Sequence, residues 1–277
     1  MNSPANSILL LGESGVGKTH FGAQLLKRLM KGGGRLGMDG QATNLEPFEA
    51  ALESLNEGKS AGHTATSTYI DSVWPVVNAL GRRAELIWPD YGGEQIKSMI
   101  DSRRVPNDWR TRVRRAPAWL LLIRLQQTRV RDDLFSKPLA DLRSTSLDNR
   151  DVQMSDQARL IELLQMLNYV GDVTAEHQRS HSRLGVLLTC WDELAFDGTP
   201  AEALEERLPL LRAFIRSNWS TPSVMGLSAL GRSLSKSERD IDYVSQGPEN
   251  FGYIVMPDGL HSPDLTLPIQ LLLGDVQ

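Results

Sequence analysis

The sequence predicts an α/β fold: a mixed, mostly parallel sheet of about six strands, covered by helices on both faces. Short apolar runs typical of buried strands alternate along the chain with segments whose apolar residues recur at helical spacing. One strand pair, at residues 67–77 and 84–89, is joined by a link too short for a crossover. This pair must therefore be antiparallel within an otherwise parallel sheet.

The N-terminal half contains the first predicted elements. Residues 7–11 (SILLL) are predicted to form a short strand buried on both faces, as parallel strands are, since four of the five residues are apolar. A helix is predicted over residues 18–31, and the glycines at 32–34 end it. A shorter helical pattern covers residues 48–55, and an irregular loop then leads to the antiparallel pair.

The C-terminal half continues the alternation after a polar and basic stretch at 94–116, to which no element is assigned. The predicted elements are a strand at 119–126, a helix at 156–170, a strand at 183–191, one long helix at 200–219, a strand at 223–230 and a closing helix at 262–274. Polar stretches near 127–154 and 231–246 are interpreted as insertions in a single domain spanning residues 1–277.

Composition excludes several classes of function. The chain has 277 residues, 40% apolar and 23% charged, which are ordinary values for a globular protein that buries a full core. Its net charge of −4 provides no general attraction to nucleic acid or to an anionic membrane. No apolar run approaches the roughly 20 residues of a membrane-spanning helix. Cys190 is the single cysteine, which suits a reducing cytoplasm.

The most informative motif lies between the first predicted strand and helix. Residues 12–19, GESGVGKT, match the phosphate-loop pattern G-x-x-x-x-G-K-[ST] in full. Its glycines let successive amides turn toward phosphate oxygens, and the helix N-terminus adds partial positive charge. We expect Lys18 to reach the outer phosphates and Thr19 to bind Mg²⁺. The predicted phosphate-binding residues are Gly12, Glu13, Ser14, Gly15, Val16, Gly17, Lys18, Thr19 and His20.

A second motif follows the next buried strand. In LIWPDYGGEQ, Asp90 comes at the carboxyl end of a strand, the edge where ligands bind in such sheets, and can hold Mg²⁺. Gly93 can place its amide against a terminal phosphate because it has no side chain in the way. A plain turn is the alternative interpretation, since aspartate and glycine are both turn residues.

A third motif distinguishes guanine from adenine. Thr189 and Asp192, in TCWD, lie just past a predicted strand. One carboxylate can accept hydrogen bonds from both N–H donors of guanine, whereas adenine presents an acceptor at that position. After the following strand, Ser228 and Ala229 can offer a backbone amide to the guanine oxygen. The alternative is an ATPase or kinase in which TCWD is an ordinary turn.

With these motifs in order, the chain resembles a Ras-type P-loop GTPase, a three-layer P-loop nucleotide-binding fold. GESGVGKT, DYGG, TCWD and SAL match the family's phosphate loop, D-x-x-G, [NT]-K-x-D and S-A-K/L motifs. The resemblance implies binding of GTP or GDP and Mg²⁺, with Thr189, Cys190, Asp192, Ser228, Ala229 and Leu230 around the base. The DYGGEQ segment and the late TLPIQLLL helix also resemble bacterial double-GTPase proteins proposed for conflict and defence systems.

The sequence departs from the Ras-type pattern at three places. Cys190 stands where the family has a lysine whose stem covers the base, which predicts lower nucleotide affinity. Glu94 stands where relatives carry the glutamine that orients the attacking water, with Gln95 one position later. A carboxylate beside the terminal phosphate is repelled by it, so intrinsic turnover is expected to be slow. The switch threonine that binds Mg²⁺ is ambiguous, because HTATST offers Thr64, Thr66 and Thr68, and distance to Asp90 favours the last two.

These observations predict a switch protein that binds GTP and hydrolyses it slowly, with Glu94 or Gln95 placing water and Lys18 stabilising charge. A partner protein, either an effector, an activator or a second GTPase, would read the switch loops. A nucleotide-bound scaffold with little turnover is the alternative. The arginines between 103 and 115 could supply an arginine finger, but a solvated or docking face is the favoured interpretation.

Overall fold

A computed structural model describes residues 7–32, 34–62, 71–89, 93–129, 154–172 and 183–274. Within these ranges nine strands form one sheet: β1 (Ser7–Leu11), β2 (Leu36–Met38), β3 (Ser72–Asn78), β4 (Arg83–Trp88), β5 (Ala118–Ile123), β6 (Arg183–Thr189), β7 (Ser223–Ser228), β8 (Tyr253–Val255) and β9 (His261–Ser262).

The helices of the described ranges flank this sheet. They are α1 (Lys18–Lys31), α2 (Glu46–Asn56), α3 (Glu94–Ser102), α4 (Asn107–Arg115), α5 (Asp156–Asp172), α6 (Pro200–Arg207), α7 (Pro209–Asn218), α8 (Ile241–Gln246) and α9 (Leu267–Leu273). None of the described helices is both long and apolar enough to cross a bilayer.

The sheet is mixed, as predicted, with the order β2-β3-β4-β1-β5-β6-β7-β8-β9. Strands β4, β1, β5, β6 and β7 run parallel in its centre, and the outer strands pair antiparallel. The predicted antiparallel pair is confirmed as β3 and β4. The predicted number of six strands is wrong, because β2, β8 and β9 add to it. These strands have two or three residues each, too few to show a periodic pattern.

The central strands are buried on both faces, which produces a core on each side of the sheet. In β1, Leu9 and Leu11 pack into one apolar cluster with residues of α3, α4, α5, α6 and α7. Ile8 and Leu10 point the other way and pack into a second cluster with residues of α1, α2 and α9. Successive side chains of a strand point to opposite faces, so residues 8–11 (ILLL) are apolar at every position.

Two predictions about helices are corrected by the structure. The long helix predicted at 200–219 is two helices, α6 and α7, with Leu208 outside helical geometry at φ −135° and ψ 60°. Pro209 lacks an N–H and restricts the residue before it, so it starts a new helix. The stretch 94–116, for which the sequence predicts no element, forms α3 and α4. The few apolar residues that these helices bury are separated by arginines and other polar residues, so the sequence shows no clear helical pattern.

Three strands end earlier than predicted, and the residues released from them form loops at one edge of the sheet. β5 ends at Ile123, β6 at Thr189 and β7 at Ser228. Of the two predicted insertions, the second contains α8, where the amide of Gln24 donates to the Tyr243 hydroxyl at 2.6 Å. Most of the first, residues 130–153, lies outside the described residues.

Candidate functional site

The loop between β1 and α1 has the backbone geometry of a phosphate cradle. Gly15 and Gly17 adopt φ values of +80° and +81°, which side-chain-bearing residues rarely adopt. Gly17 directly precedes α1, so the unpaired N–H groups of the first helical turn face the same space. The local sequence therefore fits an anion at this helix N-terminus.

Lys18 places its ammonium group at the centre of this loop. Its Nζ donates hydrogen bonds to the carbonyl oxygens of Gly12 at 2.7 Å and Glu13 at 2.5 Å. Burial lowers the pKa of Lys18 to about 8, and the nearby Glu13 carboxylate partly opposes that shift. A phosphate in the loop would supply the negative charge that favours the protonated amine.

Gly93 lies in direct backbone contact with the phosphate loop. A Cβ added at Gly93 would lie 2.5 Å from the Cα of Ser14, and closer still to the Ser14 amide nitrogen and the Glu13 carbonyl carbon. No larger residue fits there without displacing backbone. The segment predicted to sense a terminal phosphate is thus in contact with the loop predicted to hold it.

Two cationic side chains brace the phosphate loop from neighbouring elements. Arg159 of α5 forms an ion pair with Glu13 at 2.6 Å. Arg124, the residue after β5, donates from Nη1 to the carbonyl oxygen of Gly15 at 3.3 Å. Neither arginine was singled out from the sequence, because only the fold brings residues so distant in the chain to this loop.

The loop after β6 approaches the phosphate loop from the other side. Cys190 has a left-handed backbone conformation, with φ of 53°, so the chain turns sharply after Thr189. The Cys190 sulfur lies 3.8 Å from the position that a Cβ on Gly17 would occupy. Asp192 is solvent-exposed on the short helical turn that follows. Thr189 is buried, and its hydroxyl has no hydrogen-bond partner among the described residues.

Cys190 has the character of a protonated thiol. Burial raises the pKa of Cys190 to about 11, the Arg124 charge opposes the shift, and Glu193 and Asp192 add to it. A thiol in this state is a poor nucleophile.

The loop after β7 closes the third side. Ser228 is fully buried, and its hydroxyl oxygen accepts a hydrogen bond from the Gly231 amide at 3.0 Å. This bond turns the chain immediately after the strand, which brings Ala229 and Leu230 to the surface of the site.

These loops surround one cavity of about 340 Å³, a volume within the range of small-molecule sites. The predicted residues that line it are Ser14, Gly15, Gly17, Lys18, Thr19, His20, Gly93, Thr189, Cys190, Asp192, Ala229 and Leu230. Gly12, Glu13, Val16 and Ser228 belong to the same loops but do not line it. Its lining thus includes the Lys18 ammonium group and the Asp192 carboxylate.

Two other predicted residues do not line the cavity, and three fall outside the described ranges. Glu94 is exposed at the start of α3, and Gln95 accepts a hydrogen bond through Oε1 from the Trp109 indole at 3.2 Å. Neither lines the cavity. Thr66, Thr68 and Asp90, predicted as Mg²⁺ ligands, lie outside the described residues. Within the described ranges, no three His, Cys, Asp or Glu side chains cluster as a metal site.

Sequence reasoning missed part of the cavity wall. Arg124 and Glu193 line it beside the loop after β6 (residues 190–194, called the base loop after its predicted ligand), and Arg232 and Lys236 line it from the second predicted insertion. For Arg232 and Lys236 the sequence carries a weak signal, since both follow the SAL motif closely. Arg124 falls inside the predicted strand at 119–126, so the sequence gives no sign that it lines a cavity.

His20 connects α1 to residues 60–62. Its Nε2 accepts a hydrogen bond from the Ala61 amide at 3.0 Å, so the ring must be unprotonated at that nitrogen. Burial, with a smaller contribution from the Arg124 charge, lowers the pKa of His20 below its usual value. The neutral ring therefore holds residues 60–62 against the cavity.

A family model described as Double-GTPase 1 matches residues 9–272. No curated protein matches the chain. Among solved structures, the chain is similar to the GTP-bound GTPase-like domain of S. cerevisiae Ski7, with 14% identity and a TM-score of 0.46 over 98% of this chain and 51% of that one. It is also similar to a bacterial selenocysteine-specific elongation factor, with 14% identity and a TM-score of 0.40 over 98% of this chain and 29% of that one. The chain thus spans about a third to a half of the solved chains it matches.

Proposed function

The chain belongs to the Double-GTPase 1 family, and on that premise we propose that it is a switch protein that binds GTP with Mg²⁺, hydrolyses it slowly and is read by a partner protein. Residues 1–277 would form one GTPase domain with the two insertions described above. The single cysteine favours a cytoplasmic location.

The observation that carries this proposal is the meeting of the phosphate loop and the base loop in one cavity. Lys18 and Asp192 both line this cavity, and the Cys190 sulfur lies against Gly17 of the phosphate loop. A triphosphate held at the N-terminus of α1 would extend its base toward Asp192. There the carboxylate can accept from both N–H donors of guanine.

The residues predicted around the phosphates and Mg²⁺ have distinct roles in this proposal. The backbone of residues 12–19 and the Lys18 ammonium would hold the phosphates, and Gly93 would respond to the terminal one. Thr19, with Asp90 and either Thr66 or Thr68, would hold Mg²⁺, which supplies charge neutralisation at the phosphates. Glu94 or Gln95 would place the attacking water. Ordering of the switch loops by the terminal phosphate would then be the signal that a partner reads.

The base preference is tested with the Asp192→Asn variant. Loss of a bidentate carboxylate should weaken GDP binding about a hundredfold and should improve binding of xanthosine diphosphate, which presents an acceptor where guanine has a donor. Asp197→Asn is the matched control, because Asp197 is an exposed acid on the same connection that does not line the cavity. An unchanged base preference in Asp192→Asn, or ATP displacing labelled GDP as well as GTP does, would contradict the assignment to guanine.

One observation favours a second candidate function, a nucleotide-bound scaffold with little turnover. Gln95 is bonded to Trp109, and Glu94 points to solvent, so neither faces the cavity. Single-turnover hydrolysis of bound GTP separates the two functions. Phosphate release over minutes to hours supports a GTPase, and its absence even with candidate partners present supports the scaffold.

A further inference from the structure

Arg124 connects two loops that are far apart in the chain. It follows β5 directly, and its guanidinium forms a two-point ion pair with Glu193: Nε to Oε2 at 2.9 Å and Nη2 to Oε1 at 2.6 Å. The remaining nitrogen, Nη1, donates to the Gly15 carbonyl at 3.3 Å. All three nitrogens of one planar group are thereby used, which fixes the position of the side chain.

The two loops it joins are the ones that would hold opposite ends of a nucleotide. Gly15 belongs to the phosphate loop, where its positive φ excludes most side chains. Glu193 follows Asp192 on the same short helical turn, so holding its carboxylate restrains the backbone that carries Asp192. The guanidinium therefore ties the phosphate cradle to the base loop.

Position 190 does not carry the positive charge that the resemblance leads one to expect there. Cys190 occupies the position of the family's lysine, whose stem covers the base, and cysteine has neither a long stem nor a positive charge. The charge of Arg124 lies close enough to Cys190 to influence the thiol, and both side chains line the cavity. An arginine stem with a planar head can cover an aromatic face as a lysine stem does.

We propose that Arg124 is a positioning residue that replaces the missing lysine: it bridges the phosphate loop to the base loop and forms the cavity wall beside the guanine. The inference rests on the proposed function, because it concerns the same nucleotide site. Its experiment is chosen so that the two can fail separately.

The test measures release of fluorescent GDP from the full chain after addition of excess unlabelled GDP. Arg124→Ala should release GDP about tenfold faster or more, because charge-assisted bonds to both loops are lost. Arg124→Lys keeps the positive charge but not the forked guanidinium. Its rate of GDP release should lie between those of the wild type and Arg124→Ala. Arg83→Ala is the control. Arg83 forms an ion pair with Asp39 and is the first residue of β4, whereas the cavity lies beyond the carboxyl ends of the central strands. This control variant should release GDP at the wild-type rate.

A rescue experiment separates positioning from general stabilisation of the fold. Introducing Cys190→Lys into Arg124→Ala should restore slow release, because a lysine at position 190 supplies the stem and the charge that Arg124 provides in the wild type. A merely structural ion pair would not be rescued from position 190. If Arg124→Ala fails to fold, Glu193→Gln and Arg124→Lys decide, since each weakens the fork and should speed release.

Distinct outcomes apply to the two claims. Wild-type protein that binds no guanine nucleotide overturns the proposed function. Wild-type protein that binds GDP, together with Arg124 and Glu193 variants whose release stays within about twofold of Arg83→Ala, overturns the role of Arg124 alone. If Cys190→Lys does not restore slow release to Arg124→Ala, the claim that Arg124 replaces the family's lysine is wrong.

Discussion

The contact between Gly93 and the phosphate loop gives a sharp prediction for Gly93→Ala. The added methyl group would lie 2.5 Å from the Ser14 Cα and closer to two further backbone atoms, whereas real contacts of a Cβ stay beyond about 3.0 Å. Backbone atoms cannot rotate away as a side chain can. The phosphate loop and residue 93 must therefore separate, at the cost of about 1–3 kcal/mol typical of overpacking.

Thermal unfolding without added nucleotide measures this cost. For a chain of this size, each kcal/mol shifts the unfolding temperature by about 2–4 °C, so Gly93→Ala should unfold about 2–12 °C below the wild type. Gly37→Ala is the control, since nothing lies within 4 Å of its added Cβ and Gly37 has no positive φ. Equal unfolding temperatures for the two variants would refute the contact.

The same variant tests the proposed sensing of the terminal phosphate. Only GTP carries a group that would reach the amide of residue 93, so the methyl group should weaken GTP binding more than GDP binding. Titration calorimetry with GDP and a non-hydrolysable GTP analogue measures the two affinities. Equal losses for both ligands would show that Gly93 does not distinguish them.

Three further predictions follow from individual side chains. Burial lowers the pKa of Lys18 to about 8, and a bound phosphate would raise it. Nucleotide binding should thus take up a proton, and calorimetry should show GDP affinity falling by up to about tenfold per pH unit above about pH 8. Without nucleotide, the unfolded chain binds that proton more tightly, so stability to urea should rise from about pH 8 toward the unfolded pKa of 10.5; a flat profile would contradict the shift. Thr199→Ala removes the capping box that Thr199 forms with Glu202 at the start of α6, and should lower the unfolding temperature by about 2–4 °C. Tyr243→Phe removes the acceptor of the buried Gln24 amide, which keeps its bond to the Pro248 carbonyl; urea denaturation should show a loss of about 1 kcal/mol.

Local sequence was sufficient for the central part of the fold. The strand at 7–11 and the helix at 18–31 have the predicted bounds, because continuous apolar runs, helical spacing and glycine stops act over a few residues. The break at Pro209 could also have been predicted, since proline inside a helical pattern begins a new helix. The outer strands β2, β8 and β9 could not be predicted, because two or three residues contain no period to detect.

The candidate site divides in the same way. The sequence by itself determined the phosphate loop, since its glycines and Lys18 are contiguous and their backbone geometry follows from residue type. It also determined the residues at the strand ends, among them Asp192, that face the same edge of the sheet. Only the tertiary structure decided that Arg124 joins Gly15 to Glu193 and that Gly93 contacts Ser14. Such contacts depend on how strands remote in sequence are ordered in the sheet and where each one ends, and no local pattern encodes that.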